Sequence, residues 1–147
     1  MLCGGLCDVL DGLVARQTQQ ITKAGAFFDS VLDRYAEIFV LAGCLAYLIR
    51  TGHHQMISAL GVLFAISGSL MVSYTRARGE GLGFQCRSGL FQRTERVIIL
   101  AAGGILEAFF PGALFFTIFL LAMGSNITAL RRMFAIRKGL KQEADTF

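Results

Sequence analysis

Apolar runs of membrane-crossing length, separated by short polar and basic breaks, constrain this chain more than any other feature. Residues 25–49, 55–74, 94–109 and 113–130 are dominated by Leu, Ile, Val, Phe, Ala and Gly. About 20 residues of helix span a hydrocarbon core of roughly 30 Å. The composition, 54% hydrophobic and only 16% charged, belongs with membrane proteins, and 17 Gly with a single Pro suit helices that pack closely in lipid. The expected architecture is an all-α integral membrane protein forming a single domain over 1–147. Its breaks fall at the polar stretch 17–24, the turn 50–54, the basic segment 75–93 and Pro111-Gly112. Residues 2–14 read as the end of a further helix, which at about 20 Å is too short to cross by itself.

Charge orients this arrangement. The net charge is +4, yet the basic residues do not interleave with exposed aromatics as in a nucleic-acid surface, which excludes that class. They sit instead at the ends of apolar runs. If each run crosses once, the connections 16–23 and 76–96 and the tail after 131 share one side, and the opposite loops hold Arg50 alone. By the positive-inside rule the basic side is cytoplasmic. Arg131, Arg132, Arg137, Lys138 and Lys141 form a basic tail expected to touch anionic headgroups. The cysteines, Cys3, Cys7, Cys44 and Cys86, include no C-x2-C pair, and His53 and His54 stand away from most of them, so no zinc site is expected. The N-terminus lacks the basic start of a signal peptide.

Against this apolar background stand Asp8, Asp11, Asp29 and Asp33. On helices, Asp8 and Asp11 (i,i+3) share one side, as do Asp29 and Asp33 (i,i+4), with Gly25 a turn earlier on the same stripe. Gly12 and Ala15 leave bare backbone about one turn from an Asp. Carboxylates gathered in this way repel one another unless cations neutralise them. Oxygen ligands suit hard divalent ions, magnesium or manganese in its place. Two such ions balance the four charges, which is the composition of a two-metal phosphoryl-transfer site. Intramembrane acids are costly and mark function. The acids fall on the basic, cytoplasmic side.

The pattern Asp8-x2-Asp11-Gly12-x2-Ala15-Arg16-x8-Gly25-x3-Asp29-x3-Asp33 resembles the signature of the CDP-alcohol phosphatidyltransferases at every fixed position. The resemblance implies a bundle of six helices working as a homodimer. About five are represented here, and one N-terminal helix and part of the next are lacking. It implies that Asp8, Asp11 and Asp29 hold one metal ion, that Asp8, Asp29 and Asp33 hold a second, and that Asp33 is the general base. Gly12 and Arg16, with Thr22 and Gly25, would contact a CDP-diacylglycerol-type lipid. Arg16 suits this role because a guanidinium grips phosphate in a fork, and Thr22 reads equally as a helix cap. An alcohol oxygen would attack the lipid-linked phosphorus in line and release CMP.

Arg76, Arg78, Arg87, Arg93 and Arg96 read equally as a positive-inside topology signal and as cations that could converge beside the acid site on an acceptor that itself carries phosphate. Ser73-Tyr74-Thr75-Arg76-Ala77-Arg78 and Gln92-Arg93-Thr94-Glu95-Arg96 resemble segments of the phosphatidylinositol-phosphate synthases and their archaeal-lipid relatives, pointing to inositol phosphate. Glycerol 3-phosphate is the next acceptor and serine the third. The rival classes are a non-catalytic truncated relative acting as a membrane partner and a small transporter. Glu37, continuing the Gly25-Asp29-Asp33 stripe, is expected to pair with a buried Arg rather than a metal. Glu107 is expected to be a helix-end acid, and Phe115, Phe116 and Phe119 to face lipid or pack.

Overall fold

The computed structural model describes residues 22–52, 54–84 and 91–144. Every regular element among them is an α-helix: α1 (Lys23–Arg50), α2 (Gln55–Gly81), α3 (Arg93–Glu107) and α4 (Ala113–Ala144). The expected helix at 2–14 lies outside the described residues. The chain divides into two compact units, Met1–Ala36 and Glu37–Phe147.

In the second unit the tightest packing joins α2 to α4. The buried residues of α2 include Ser58, Gly61, Ala65, Gly68, Val72, Thr75 and Gly79, which alternate in steps of three and four. Those of α4 include Leu114, Ile118, Leu121, Ser125, Thr128 and Arg132, in steps of four and three. A 3.5-residue repeat on both partners keeps one seam of each helix facing the other. The α2 seam is made of small residues, so the backbones come close and dispersion contacts can hold the pair in lipid. A methyl group on Gly68 would lie 2.6 Å from Asn126 Nδ2 and 2.9 Å from the Asn126 backbone nitrogen. Asn126 Nδ2 donates to the Phe64 carbonyl across the seam (2.9 Å) and to Ala122 O in its own helix (2.7 Å). Leu41 and Leu48 of α1 complete the core with Val62, Ala65, Leu114, Ile118 and Ala122.

Two helices run past their expected ends. α2 continues through Arg76, Arg78 and Glu80 instead of loosening after Tyr74, and α4 continues to Ala144 where a tail was expected after Leu130. The apolar pattern marks where hydrocarbon ends, whereas a helix ends where its hydrogen-bond ladder is broken. Arg, Lys, Ala, Met and Leu in these segments are good helix formers. Arg76 Nε also pairs with Glu80 one turn on, at 2.9 Å.

The other boundaries follow local chemistry. The Glu95 carboxylate accepts from the backbone N–H groups of Gln92 (3.1 Å) and Phe91, a capping box that opens α3. Between α3 and α4, Glu107 accepts from Gly112 N (3.0 Å) and Leu114 N (2.7 Å). It is the expected helix-end acid, and it also neutralises orphan donors at the start of α4. Gly112 has φ +97°, a conformation that calls for glycine there.

By length and composition, α2 and residues Ala113–Gln142 of α4 can cross a membrane. α3, with 15 residues, rises only about 22 Å. Phe39, Phe64, Phe109 and Phe116 are exposed, as lipid-facing groups are. Phe115 and Phe119 are half-buried, their ring centroids 4.9 Å apart.

Candidate functional site

The acid motif falls in the first unit, and the described part of it lies on the opening turns of α1. Thr22 precedes the helix, and its hydroxyl accepts the Gly25 backbone N–H at 3.0 Å. Its backbone carbonyl takes the Ala26 N–H at 3.1 Å. Thr22 is thus an N-cap that fixes where α1 starts. That start sets the phase of the helix, so Gly25, Asp29 and Asp33 recur on one stripe at intervals of one turn. Asp29 is exposed, and the Asp33 side chain keeps 13% of its surface. Arg34 Nη1 lies 4.0 Å from Asp33 Oδ2 and donates to the Ser30 carbonyl.

Asp8, Asp11, Gly12 and Arg16 lie outside the described residues. Among the described residues no three acids, histidines or cysteines converge as a metal site, and two of the four expected carboxylates, Asp8 and Asp11, are not among them. What is present fits a hard divalent ion: two carboxylates one turn apart on a single face, all-oxygen donors, with water able to reach Asp29.

In the second unit the arginines divide by environment. Arg76 and Arg78, on the last turns of α2, are exposed, as is Arg93, the first residue of α3; Arg87 lies outside the described residues. Arg96 is buried, at 3% exposure. Its Nε and Nη2 donate to the two Glu37 oxygens at 2.8 and 3.1 Å, and its Nη1 donates to the Phe91 carbonyl at 2.9 Å. A forked, two-oxygen contact of this kind has the geometry that makes a buried pair tolerable. Glu37 therefore has the buried Arg partner its stripe position implies. Arg96, placed in the sequence with the phosphate-binding group, directs all three guanidinium nitrogens into the protein.

Phe91 was not singled out by the sequence. Its φ is +66°, its N–H is held by Glu95 and its carbonyl by Arg96, and its ring occupies the space over Gly124 of α4. The segment leading into Arg93 is thereby fixed at three points. The one clue in the sequence is Gly124 in an apolar helix, where a missing side chain can receive an aromatic ring. Arg132 was likewise read as tail, yet it is buried and donates from Nη1 to the Val72 carbonyl at 2.9 Å.

Comparison with known proteins adds three findings. The family model described as CDP-alcohol phosphatidyltransferase matches residues 1–130. The archaetidylinositol phosphate synthase of Methanothermobacter thermautotrophicus is 36% identical over 145 residues, covering 96% of this chain and 69% of that protein. The phosphatidylinositol phosphate synthase of Streptomyces avermitilis is 34% identical over 139 residues, covering 89% of this chain and 57% of that one. Among solved structures, the Mycobacterium tuberculosis phosphatidylinositol phosphate synthase with CDP-DAG bound has a TM-score of 0.80 at 31% identity. The alignment covers 89% of this chain and 67% of that one. The same enzyme in complex with manganese and citrate matches with a TM-score of 0.78. The chain thus spans between 57% and 69% of the length of these two sequence relatives.

Proposed function

This chain belongs to the CDP-alcohol phosphatidyltransferase family, and from that premise we propose that it makes an inositol phospholipid. It transfers the phosphatidyl group of a CDP-diacylglycerol-type lipid, or an ether analogue, to the hydroxyl of inositol phosphate, and CMP leaves. The observation that carries this reading is the intact run from Asp8 to Asp33 with its full spacing. The choice of acceptor is supported by relatives named for inositol phosphate in both an archaeon and a bacterium. The manganese complex of the mycobacterial enzyme supports a divalent metal here.

On this reading Asp8, Asp11 and Asp29 hold one ion, and Asp8, Asp29 and Asp33 hold a second. Two magnesium or manganese ions held by these carboxylates would supply the positive charge that neutralises the pyrophosphate during in-line attack. Asp33 accepts the proton of the attacking inositol hydroxyl. Gly12, Arg16, Thr22 and Gly25 border the CDP moiety, where Arg16 grips phosphate as a fork. The acceptor's own phosphate is held by Arg76, Arg78 and Arg93, while Arg96 holds the start of α3 in place. The basic connections support a site at the cytoplasmic face of the cell membrane. The exposed apolar residues face lipid and, as in the family pattern, a second copy of the chain.

The test follows CMP release by membranes containing the chain, supplied with magnesium and a CDP-lipid. Inositol phosphate, glycerol 3-phosphate and serine are added in turn. CMP should appear with inositol phosphate. Release only with glycerol 3-phosphate would reassign the acceptor, and no release with any acceptor would favour a non-catalytic membrane partner.

A further inference from the structure

Beyond its apolar run, α4 presents a charged face that the transfer reaction does not use. Arg131, Phe134, Lys138 and Lys141 recur in steps of three, four and three, which places them on one stripe of the helix, with Arg137 beside it. All five are exposed, Phe134 at 58%. From 131 to 142 the sequence contains no Asp or Glu. The opposite face is anchored: Arg132 donates to the Val72 carbonyl, Ile136 packs over Gly79, and the Phe84 ring sits over Gly139. The stripe is therefore a fixed surface held against the end of α2.

We propose that this stripe is a docking surface for anionic phospholipid headgroups in the leaflet where α4 ends. Two observations single out lipid as the partner. The stripe begins at Arg131, directly after the apolar run 113–130, and an exposed Phe is embedded among its cations. An aromatic ring flanked by Arg and Lys matches the boundary between acyl chains and headgroups. A soluble anion would have no use for it. From Arg131 to Lys141 the helix rises about 15 Å. Arg131 and Phe134 then fall within the headgroup layer, about 5–8 Å deep. Arg137 and Lys138 lie within one Debye length of it, about 8 Å, and Lys141 near that limit. On the reaction proposed above, the stripe would also gather the CDP-lipid, whose pyrophosphate is anionic.

The experiment needs no catalysis. The full chain is reconstituted in nanodiscs of phosphatidylcholine and phosphatidylglycerol, and spin-labelled versions of each lipid report the fraction immobilised on the protein. The chain should favour phosphatidylglycerol by about three- to fivefold in low salt, and 0.5 M salt should remove most of that preference. The combined variant Arg131→Gln, Arg137→Gln, Lys138→Gln and Lys141→Gln should hold both lipids alike while keeping its helical circular dichroism. Equal immobilisation of both lipids by the unaltered chain, or an undiminished preference in the variant, overturns the proposal. Loss of the preference on adding a few millimolar inorganic phosphate at constant ionic strength also overturns it, because the partner would then be a soluble anion. Should the combined variant not fold, the single variants Arg131→Gln and Lys138→Gln decide the matter: each should lower the preference, and an undiminished preference in both overturns the proposal.

Discussion

At the residue scale, the proposed chemistry and the observed scaffold rest on carboxylates that the sequence alone makes look alike. Asp29, Asp33 and Glu37 repeat at four-residue intervals on α1, but Glu37 is bound to Arg96 at 2.8 Å while Asp29 is exposed. An acid already neutralised by a guanidinium is a poor metal ligand, and an exposed one can accept an ion. On the proposed mechanism, Asp33→Asn removes the proton acceptor and one metal oxygen. It should reduce CMP release by at least about 10²-fold, with metal-dependent CDP-lipid binding largely retained; near-normal turnover would remove Asp33 from the role of base. Glu37→Ala leaves Arg96 buried without its charge partner and should cost about 3 kcal/mol. Thermal unfolding in detergent measures that loss, and the double change Glu37→Met with Arg96→Leu should recover most of it. If the single variant melts like the unaltered protein, the pair contributes nothing to the scaffold.

At the element scale, the α2–α4 seam shows how far a sequence pattern reaches. Ser58, Gly61, Ala65 and Gly68 are conspicuous as small residues in an apolar helix, and close packing in lipid follows from them. Their partner does not, because any helix with the complementary repeat could fill the groove. Gly68→Val should separate the two helices and destabilise the protein by about 1–3 kcal/mol, read as a lower melting temperature. Ala substituted at Gly104, a helical position where nothing lies within 4 Å, should keep or slightly raise the melting temperature and serves as the control. The helix ends carry the opposite lesson. The apolar runs at 55–74 and 113–130 located the spans but not the ends of α2 and α4. Hydropathy reports the solvent, and Arg76–Glu80 and the run after Arg131 stay helical although their composition is no longer apolar.

At the scale of the whole molecule, the proposed orientation rests on charge. The turn at 50–52 and the end of α2 lie at opposite ends of one helix long and apolar enough to cross a membrane. The positive-inside rule assigns the end bearing Arg76 and Arg78 to the cytoplasm. In a background lacking native cysteines, Gln55→Cys should react with an impermeant maleimide in intact cells, and Leu82→Cys only after lysis. The reverse pattern would invert the topology and move the acid site to the outer face.

The family signature from Asp8 to Asp33, the all-helical membrane character and the pairing of Glu37 with a buried Arg were legible in the sequence alone. Each depends on local periodicity or on the cost of a charge in an apolar setting, and both are properties of a single stretch of chain. The tertiary structure decided which Arg Glu37 meets, that Phe91 rests on Gly124, and that Arg132 turns inward to the Val72 carbonyl. These contacts join residues far apart in the chain. Their energies depend on distances of a few ångströms, which are set only once the helices have packed.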